Sequence, residues 1–579
     1  MNWQTEHERW LHFPELNQEL RQQLQAIDDQ SVLEDCFYKH LEFGTGGMRG
    51  IIGPGTNRMN IYTIRKAAEG LARFIVQHGD EAKNRGVVIA YDSRHKSAEF
   101  AMEAAKTLGY HGIQVYVFES LRTTPELSFA VRYLHAFSGI VITASHNPAA
   151  YNGFKVYGED GAQFASEDAD VVVAKVNEVE NELTIPVSEE ASLKEAGLLE
   201  IIGETVDQAY LKQLESLIVN RDVIEQAVED FTIVYTPLHG TGNTPVRKGI
   251  KAIGFKHVHV VNEQEHPNAD FPTVNYPNPE DPATFSLAME YGKKHGADIL
   301  LATDPDADRV GIAVRVDEDY KLLTGNQIGA LLLHYLITQK KNDLPKGATV
   351  LKTIVTSELG RDIAAAHGIE TIDTLTGFKY ISEKIREFEA QGDHSFLLGY
   401  EESYGYLIGD FVRDKDAVQT CLLLAEVAAY YKVKKMTLLD ALSEIFKKYG
   451  YYLEGLESLT LEGKEGVEKI AAIMSDFREN PPVDVAGKRV IVREDYANSE
   501  RVYVKDGMDG RTEIIELPKS NVLKYKLEGG AWVCVRPSGT EPKIKFYFGV
   551  KEETAEASER VLKELVEEVM GRVSVMSTG

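Results

Sequence analysis

Three times along this 579-residue chain, a short apolar run ends abruptly in a polar loop crowded with reactive side chains. Ile140-Val-Ile leads into Thr143-Ala-Ser-His-Asn-Pro148. Ile299-Leu-Leu-Ala leads into Asp304-Pro-Asp-Ala-Asp-Arg309. Phe396-Leu-Leu runs toward Tyr400-Glu-Glu-Ser-Tyr-Gly405. Each run closes an alternation of strand and helix patterns. Residues 86–91, 113–118 and 139–143 read as strands, with helices over 97–108 and 125–134, and Ser97 is a candidate N-cap. The rhythm returns as strands at 231–235, 257–261 and 297–303, with helices from about 244 and about 282. It returns again as helices over 326–337, 357–367 and 378–390 with strands at 348–355, 369–373 and 395–400. Such alternation specifies helices packed on a largely parallel sheet. Ligands of open α/β sheets bind beyond the carboxyl ends of the strands, which is where these loops fall.

After residue 450 the pattern changes to many short strands, at 452–461, 489–493, 512–517, 532–535 and 544–550. A helix is expected at 464–477 and a long last one from about 553. The expected architecture is three similar mixed-sheet α/β domains, over 1–206, 207–321 and 322–450, and a C-terminal α+β domain over 451–579. The segment before Phe43 reads as helical.

The formal net charge of −27 argues against a nucleic-acid backbone or an anionic membrane as partner, and leaves room for a local basic pocket. Cys36, Cys421 and Cys534 are too scattered for a disulfide framework or a zinc site, and fit a reducing cytoplasm. The polar, acidic start, Met-Asn-Trp-Gln-Thr-Glu-His-Glu-Arg, does not read as a signal peptide. The richest apolar stretches, 331–337 and 422–431, are too short or too interrupted to span a bilayer.

Asp304, Asp306 and Asp308 alternate within one loop. Their oxygens suit Mg²⁺, or alternatively the loop is a solvated acidic turn. A calcium EF-hand fails: Arg309 and Arg315 stand where it needs Gly and Glu. Ser145 lies beside His146, outside any Gly-x-Ser-x-Gly elbow, and is either a phosphate carrier or a turn serine bonded to its own backbone. Lys155, in Asn152-Gly-Phe-Lys155, is a candidate acid or base if its neighbours lower its pKa. Arg536-Pro-Ser-Gly-Thr540 has the parts of a phosphate cradle, or forms an ordinary turn. Phe43-Gly-Thr-Gly-Gly-Met-Arg-Gly50 is a glycine-rich loop preceding a helix. It lacks dinucleotide spacing.

Taken together and in order, these four loops resemble those of the α-D-phosphohexomutase superfamily over nearly the whole chain. The resemblance implies three α/β domains and an α+β domain around a central cleft. It implies that Ser145 carries a phosphoryl group as phosphoserine, and that Asp304, Asp306 and Asp308 bind Mg²⁺ with the Ser145 phosphate completing the shell. Arg309 and Arg49 would face the reacting phosphate, with Lys155 and His146 as acid/base candidates. Glu401 and Ser403 would bond sugar hydroxyls. Lys415 would lie on the substrate side, and Thr376, Gly377 and Lys379 in the loop that helps choose the sugar. Arg536, Ser538, Gly539 and Thr540 would hold the other phosphate. The expected partners are small sugar phosphates, not nucleic acid or membrane. The expected reaction interconverts glucose 1-phosphate and glucose 6-phosphate, with glucose 1,6-bisphosphate as intermediate and activator. Pentose and mannose phosphates are the alternative substrates, because Tyr400 stands where the glucose branch has glycine, and Gly377-Phe-Lys379 and Tyr404-Gly-Tyr406 also resemble a pentose branch. A phosphatase would instead release inorganic phosphate. A non-catalytic sensor would lack the serine or a metal ligand, and this chain retains both.

Overall fold

A computed structural model describes residues 2–44, 46–164, 166–341, 343–461, 463–504, 510–538 and 543–578. The chain divides into two compact units. The first contains Met1–Ile328, Thr338–Ala348 and Phe378–Leu438; the second contains Gly329–Ile337, Thr349–Gly377 and Leu439–Gly579.

The first unit holds two mixed sheets. One has six strands in the order Met48–Ile51, Tyr151–Tyr157, Ser138–Ile142, Val87–Tyr91, Val115–Phe118, Leu199–Ile202. Its middle pairings are parallel; Tyr151–Tyr157 runs antiparallel to both of its neighbours. The other has five strands in the order Asp319–Leu322, Val310–Val316, Ile299–Thr303, Thr232–Thr236, His257–Val260. Here too the strand after the reactive loop, Val310–Val316, turns back antiparallel. In the third region Ser395–Tyr400 pairs antiparallel with Tyr406–Leu407. All three polar loops are therefore hairpin connections at the ends of apolar strands.

The N-terminal segment forms three helices, Trp3–Leu11, Gln18–Gln25 and Gln30–Phe37. Trp10 is buried edge-on against Phe37 and Tyr62, and its Nε1 donates to Glu182 Oε1 at 2.7 Å. The helix Ala417–Val433 is buried on nearly every face, as its continuous apolar composition requires.

Local readings are corrected at three points. Ser97 is the first helical residue rather than the cap; Lys96 holds that position in a left-handed conformation, and the Ser97 hydroxyl donates to Asp92. The glycine-rich loop runs first into the short strand Met48–Ile51, and the next helix begins only at Ile61. Thr512–Ile514 is shorter than the expected 512–517 strand, while Glu500–Tyr503 and Leu523–Leu527 are additional strands.

In the second unit, strands Tyr451–Thr460, Lys543–Glu552, Trp532–Pro537, Leu523–Leu527, Lys488–Asp495, Glu500–Tyr503 and Thr512–Ile514 follow one another in an antiparallel sheet. The helices Gly463–Glu479 and Ala555–Thr578 contribute Ile473, Phe477 and Leu565 to its core. Strand Ala348–Thr353 pairs in parallel with Glu370–Thr374. A buried ion network braces this region. Lys352 Nζ lies 2.9 Å from Asp373 and 3.2 Å from Glu358. Lys524 Nζ donates to Ile354 O at 2.6 Å.

Asp416 caps the helix Ala417–Val433 and accepts a hydrogen bond from Tyr210 Oη at 2.7 Å. Burial pushes its carboxyl up to about 6 from the ordinary 3.8. The folded state therefore holds this proton more tightly than the unfolded chain. Its contribution to stability is greatest below about 4 and falls as pH rises toward 6, by about 3 kcal/mol in all. Asp416→Asn keeps an acceptor for Gln419 N, turns its amide NH2 toward the Tyr210 hydroxyl, which can accept as well as donate, and removes the titration. Thermal melting should show the variant gaining on the parent between pH 4 and pH 7, with little difference at pH 4.

Candidate active site

The hairpin geometry brings the first two loops together. Ser145 Oγ donates to Asp304 Oδ2 at 2.8 Å, and His146 Nδ1 lies 3.1 Å from the same hydroxyl. Each of the three loops contains a non-glycine residue in the left-handed region: Ser145 (φ 51°), Ala307 (φ 54°) and Tyr404 (φ 64°). Such residues persist only where surrounding contacts hold them. Those contacts are present. Thr124 N donates to Asp306 O, Thr241 N to Pro305 O, and Ala417 N to Ala307 O. Val310 N donates to Tyr404 O, and Arg309 forms a β-bridge with Gly405. Gly405 must be glycine, because a Cβ there would lie 2.2 Å from Lys415 Cδ.

Asp304, Asp306 and Asp308 are buried, with ligand oxygens all within 4.8 Å of one another. Asp304 Oδ1 accepts from the backbone N–H groups of Asp308 and Arg309. Thr124 Oγ1 donates to Asp306 Oδ2 at 2.8 Å. Lys155 Nζ is 2.9 Å from Asp306 and 3.5 Å from Asp308; Lys415 Nζ is 3.2 Å from Asp308 and 3.1 Å from Asp414. Asp306 Oδ1 and Asp308 Oδ1 are buried without a hydrogen-bond partner. Hard carboxylate oxygens, clustered and partly unpartnered, fit a divalent cation.

The protonation pattern follows. Burial, with Asp306 and Asp308 close by, pushes the Asp304 carboxyl well above the usual range. Burial acts the same way on Asp306, but the Lys155 ammonium overrides it and holds Asp306 low. Burial disfavours the Lys155 ammonium, yet Asp306 and Asp308 outweigh it and raise its pKa. The lowered lysine that would suit a base is not found; Lys155 is a cation able to donate. Burial, reinforced by Arg309 and Arg49, drives His146 well below 6.5, so its imidazole is neutral at pH 7.

Arg309 donates to Glu280 in a close ion pair. Arg49, on the strand Met48–Ile51, donates to Asn147 Oδ1 at 2.8 Å. Glu401 is buried and adds negative charge near Arg309 and Lys415; Ser403 is half-buried. Lys379, half-buried, is the second residue of the helix Phe378–Gln391 in the first unit. Thr376 and Gly377 belong to the second unit, where Gly377 has φ 122° and Thr376 Oγ1 is buried without a partner. Arg536 and Ser538 also belong to that unit, at the end of Trp532–Pro537, and Ser538 N donates to Lys543 O. Gly539 and Thr540 lie outside the described residues.

Sequence reading missed Thr124, Glu280 and Asp414. Thr124 sits at a helix start and Glu280 in the Asn278-Pro-Glu280 turn, both remote in sequence from the loops they support. Asp414 directly precedes Lys415, but nothing local distinguishes it from its neighbours.

Sequence profiles of the phosphoglucomutase/phosphomannomutase family match four successive stretches. Alpha/beta/alpha domain I matches residues 40–183, domain II 208–317, domain III 324–449, and the C-terminal domain 460–568. The chain belongs to this family. A phosphoglucomutase of Staphylococcus aureus (strain bovine RF122 / ET3-1) is 42% identical over 90% of this chain and 92% of its own. One from Staphylococcus haemolyticus is 40% identical over 89% and 91%. Among solved structures, the open form of a Paramecium phosphoglucomutase, pp63/parafusin, shares the fold with TM-score 0.69 at 18% identity, covering 93% of this chain and 96% of that one. A Burkholderia thailandensis family protein gives TM-score 0.63 at 18% identity, over 92% and 97%. The family's four-part α/β organisation matches the fold class expected from the sequence.

If the carboxylates bind a divalent cation, Mg²⁺ at a hundred times its Kd should stabilise the chain by about 2.7 kcal/mol. Differential scanning calorimetry should record a higher Tm with Mg²⁺ than with EDTA, and Asp308→Asn should abolish most of that gain.

Proposed function

We propose that the chain is a glucose-phosphate mutase that works through phospho-Ser145. The observation that carries this reading is the Ser145 hydroxyl 2.8 Å from Asp304 within a buried three-aspartate cluster. The S. aureus and S. haemolyticus relatives named phosphoglucomutase support the choice of sugar.

Phospho-Ser145 gives its phosphoryl group to the free hydroxyl of a glucose monophosphate. The Oγ–P bond breaks, an O–P bond to the sugar forms, and the hydroxyl proton passes to a nearby base. Glucose 1,6-bisphosphate is the intermediate, and the same compound in catalytic amount keeps the enzyme phosphorylated. The phosphate at its other end then returns to Ser145. In this reading neutral His146 accepts a proton and cationic Lys155 supplies one. Arg49 and Arg309 stabilise charge on the transferring group. Asp304, Asp306 and Asp308 would hold Mg²⁺, which neutralises phosphate charge when bound.

Glu401 and Ser403 bond sugar hydroxyls, with Lys415 beside them, and Thr376, Gly377 and Lys379 bias the choice of sugar. Arg536, Ser538, Gly539 and Thr540 hold the phosphate that is not reacting. The division into 1–206, 207–321, 322–450 and 451–579 follows these tasks: phosphoryl carrier, metal, sugar and distal phosphate. Three free, buried cysteines suit a cytoplasmic setting.

The test is a transfer assay with Mg²⁺ and catalytic glucose 1,6-bisphosphate. It compares glucose, mannose, glucosamine and ribose 1-phosphates by kcat/KM, with Ser145→Ala alongside. Glucose 1-phosphate should lead, and Ser145→Ala should lose roughly 10³-fold or more. Ribose 1-phosphate leading would overturn the sugar and keep the chemistry; isomer formation indifferent to Ser145→Ala would overturn the chemistry. Arg536→Ala should raise KM by roughly 10- to 100-fold, as expected for loss of a charge-assisted hydrogen bond.

A further inference from the structure

The loop that carries Ser145 is held from behind by a side chain outside the chemistry described above. Arg94 follows the strand Val87–Tyr91, and its side chain is fully buried, as is that of Asp92. Nη1 donates to Pro148 O at 2.8 Å and Tyr151 O at 3.1 Å; Nη2 donates to Ser145 O at 2.5 Å and Asn147 O at 2.6 Å. Nε lies 3.3 Å from Asp92 Oδ2. Asp92 Oδ1 accepts from Arg94 N at 2.9 Å and Ser97 Oγ at 2.8 Å. The guanidinium also lies 5.0 Å from the ring centroid of Phe271, in the region following the second sheet's strand His257–Val260.

We propose that Arg94 is a positioning residue for phosphoryl transfer, acting through the backbone of the 145–151 loop. This rests on the reading of Ser145 as the phosphoryl carrier. Four carbonyls of one short loop converge on a single group. Only a planar guanidinium has enough donors in a rigid fork to satisfy all four and still face a carboxylate. Lysine has three donors and no fork. By pinning the Ser145 and Asn147 carbonyls, Arg94 holds Ser145 in its left-handed conformation and keeps Oγ directed at Asp304. Asp92 supplies the countercharge that allows the guanidinium to be buried. Phe271 closes its face, so the serine loop is registered against an element of the neighbouring sheet's region. In-line transfer is sensitive to displacements of about 1 Å, so loosening this clamp should slow chemistry more than binding.

The test uses the full chain with Mg²⁺ and glucose 1,6-bisphosphate. Arg94→Lys should lower kcat on the order of a hundredfold with KM for glucose 1-phosphate unchanged. It should slow the appearance of phospho-Ser145, followed by intact mass after mixing dephosphorylated enzyme with bisphosphate, by a similar factor. Added ethylguanidine should restore part of the kcat of Arg94→Ala. A parental kcat in Arg94→Lys, or a loss that only tracks the unfolded fraction, would overturn the proposal. If Arg94→Lys does not fold, Phe271→Leu decides: several-fold lower kcat at unchanged KM supports the clamp, and unchanged kcat overturns it. Ser145→Ala run in parallel keeps the two readings apart. Activity surviving in that variant defeats the phosphoserine reading itself, whereas an inactive Ser145→Ala beside a fully active Arg94→Lys defeats only the role of Arg94.

Discussion

Carboxylate oxygens within 4.8 Å of one another, inside a buried loop, repel strongly. At an effective dielectric of about 20, two full charges at that distance oppose each other by about 3.5 kcal/mol. The first unit relieves this repulsion in several ways at once. Asp304 draws two backbone N–H groups and the Ser145 hydroxyl. Lys155 reaches in from the six-stranded sheet, and Lys415 from the segment before the buried helix Ala417–Val433. Apart from the loop's own N–H groups, the compensating side chains come from different parts of the chain, so the cluster depends on those parts being in register. The aspartate loop is thus both the candidate site and the point at which the first unit is tied together.

The same logic accounts for the hairpins. A strand that ended in an ordinary crossover would leave its loop free to drift. Turning straight back as an antiparallel partner fixes both ends of the loop to the sheet, with Ile142 opposite Phe154, Thr303 opposite Val310 and Tyr400 opposite Tyr406. A short loop held at both ends can sustain one residue in the left-handed region, at about 1 kcal/mol or more each. In return its side chains are held at fixed positions, which suits phosphoryl transfer, where placement and charge neutralisation dominate over covalent assistance.

Much of this was legible in the sequence because the signals are local. Apolar runs of strand length, helix periodicity and the four polar loops are contiguous, and the elements they announce formed within a few residues of expectation. What escaped has a common cause. The strand Tyr151–Tyr157 is masked by Asn152-Gly153, which reads as a turn until it is paired on both sides. Leu523–Leu527 alternates with lysines, and Lys524 is buried because Glu358 and Ile354 O receive its charge. Ser97 resembles a cap, but Asp92, five residues earlier, takes its hydroxyl.

The sequence by itself determined the alternating fold class, the changed character of the C-terminal stretch, and which loops carry a serine, three aspartates and an arginine followed by hydroxyl and glycine residues. Those are properties of adjacent residues. Only the tertiary structure decided that Lys155 is a raised, cationic lysine, that His146 is neutral, and that Thr124, Glu280 and Asp414 stand among the reactive groups. A pKa depends on burial and on charges brought close by folding, and the groups that set these values lie tens to hundreds of residues apart in the chain.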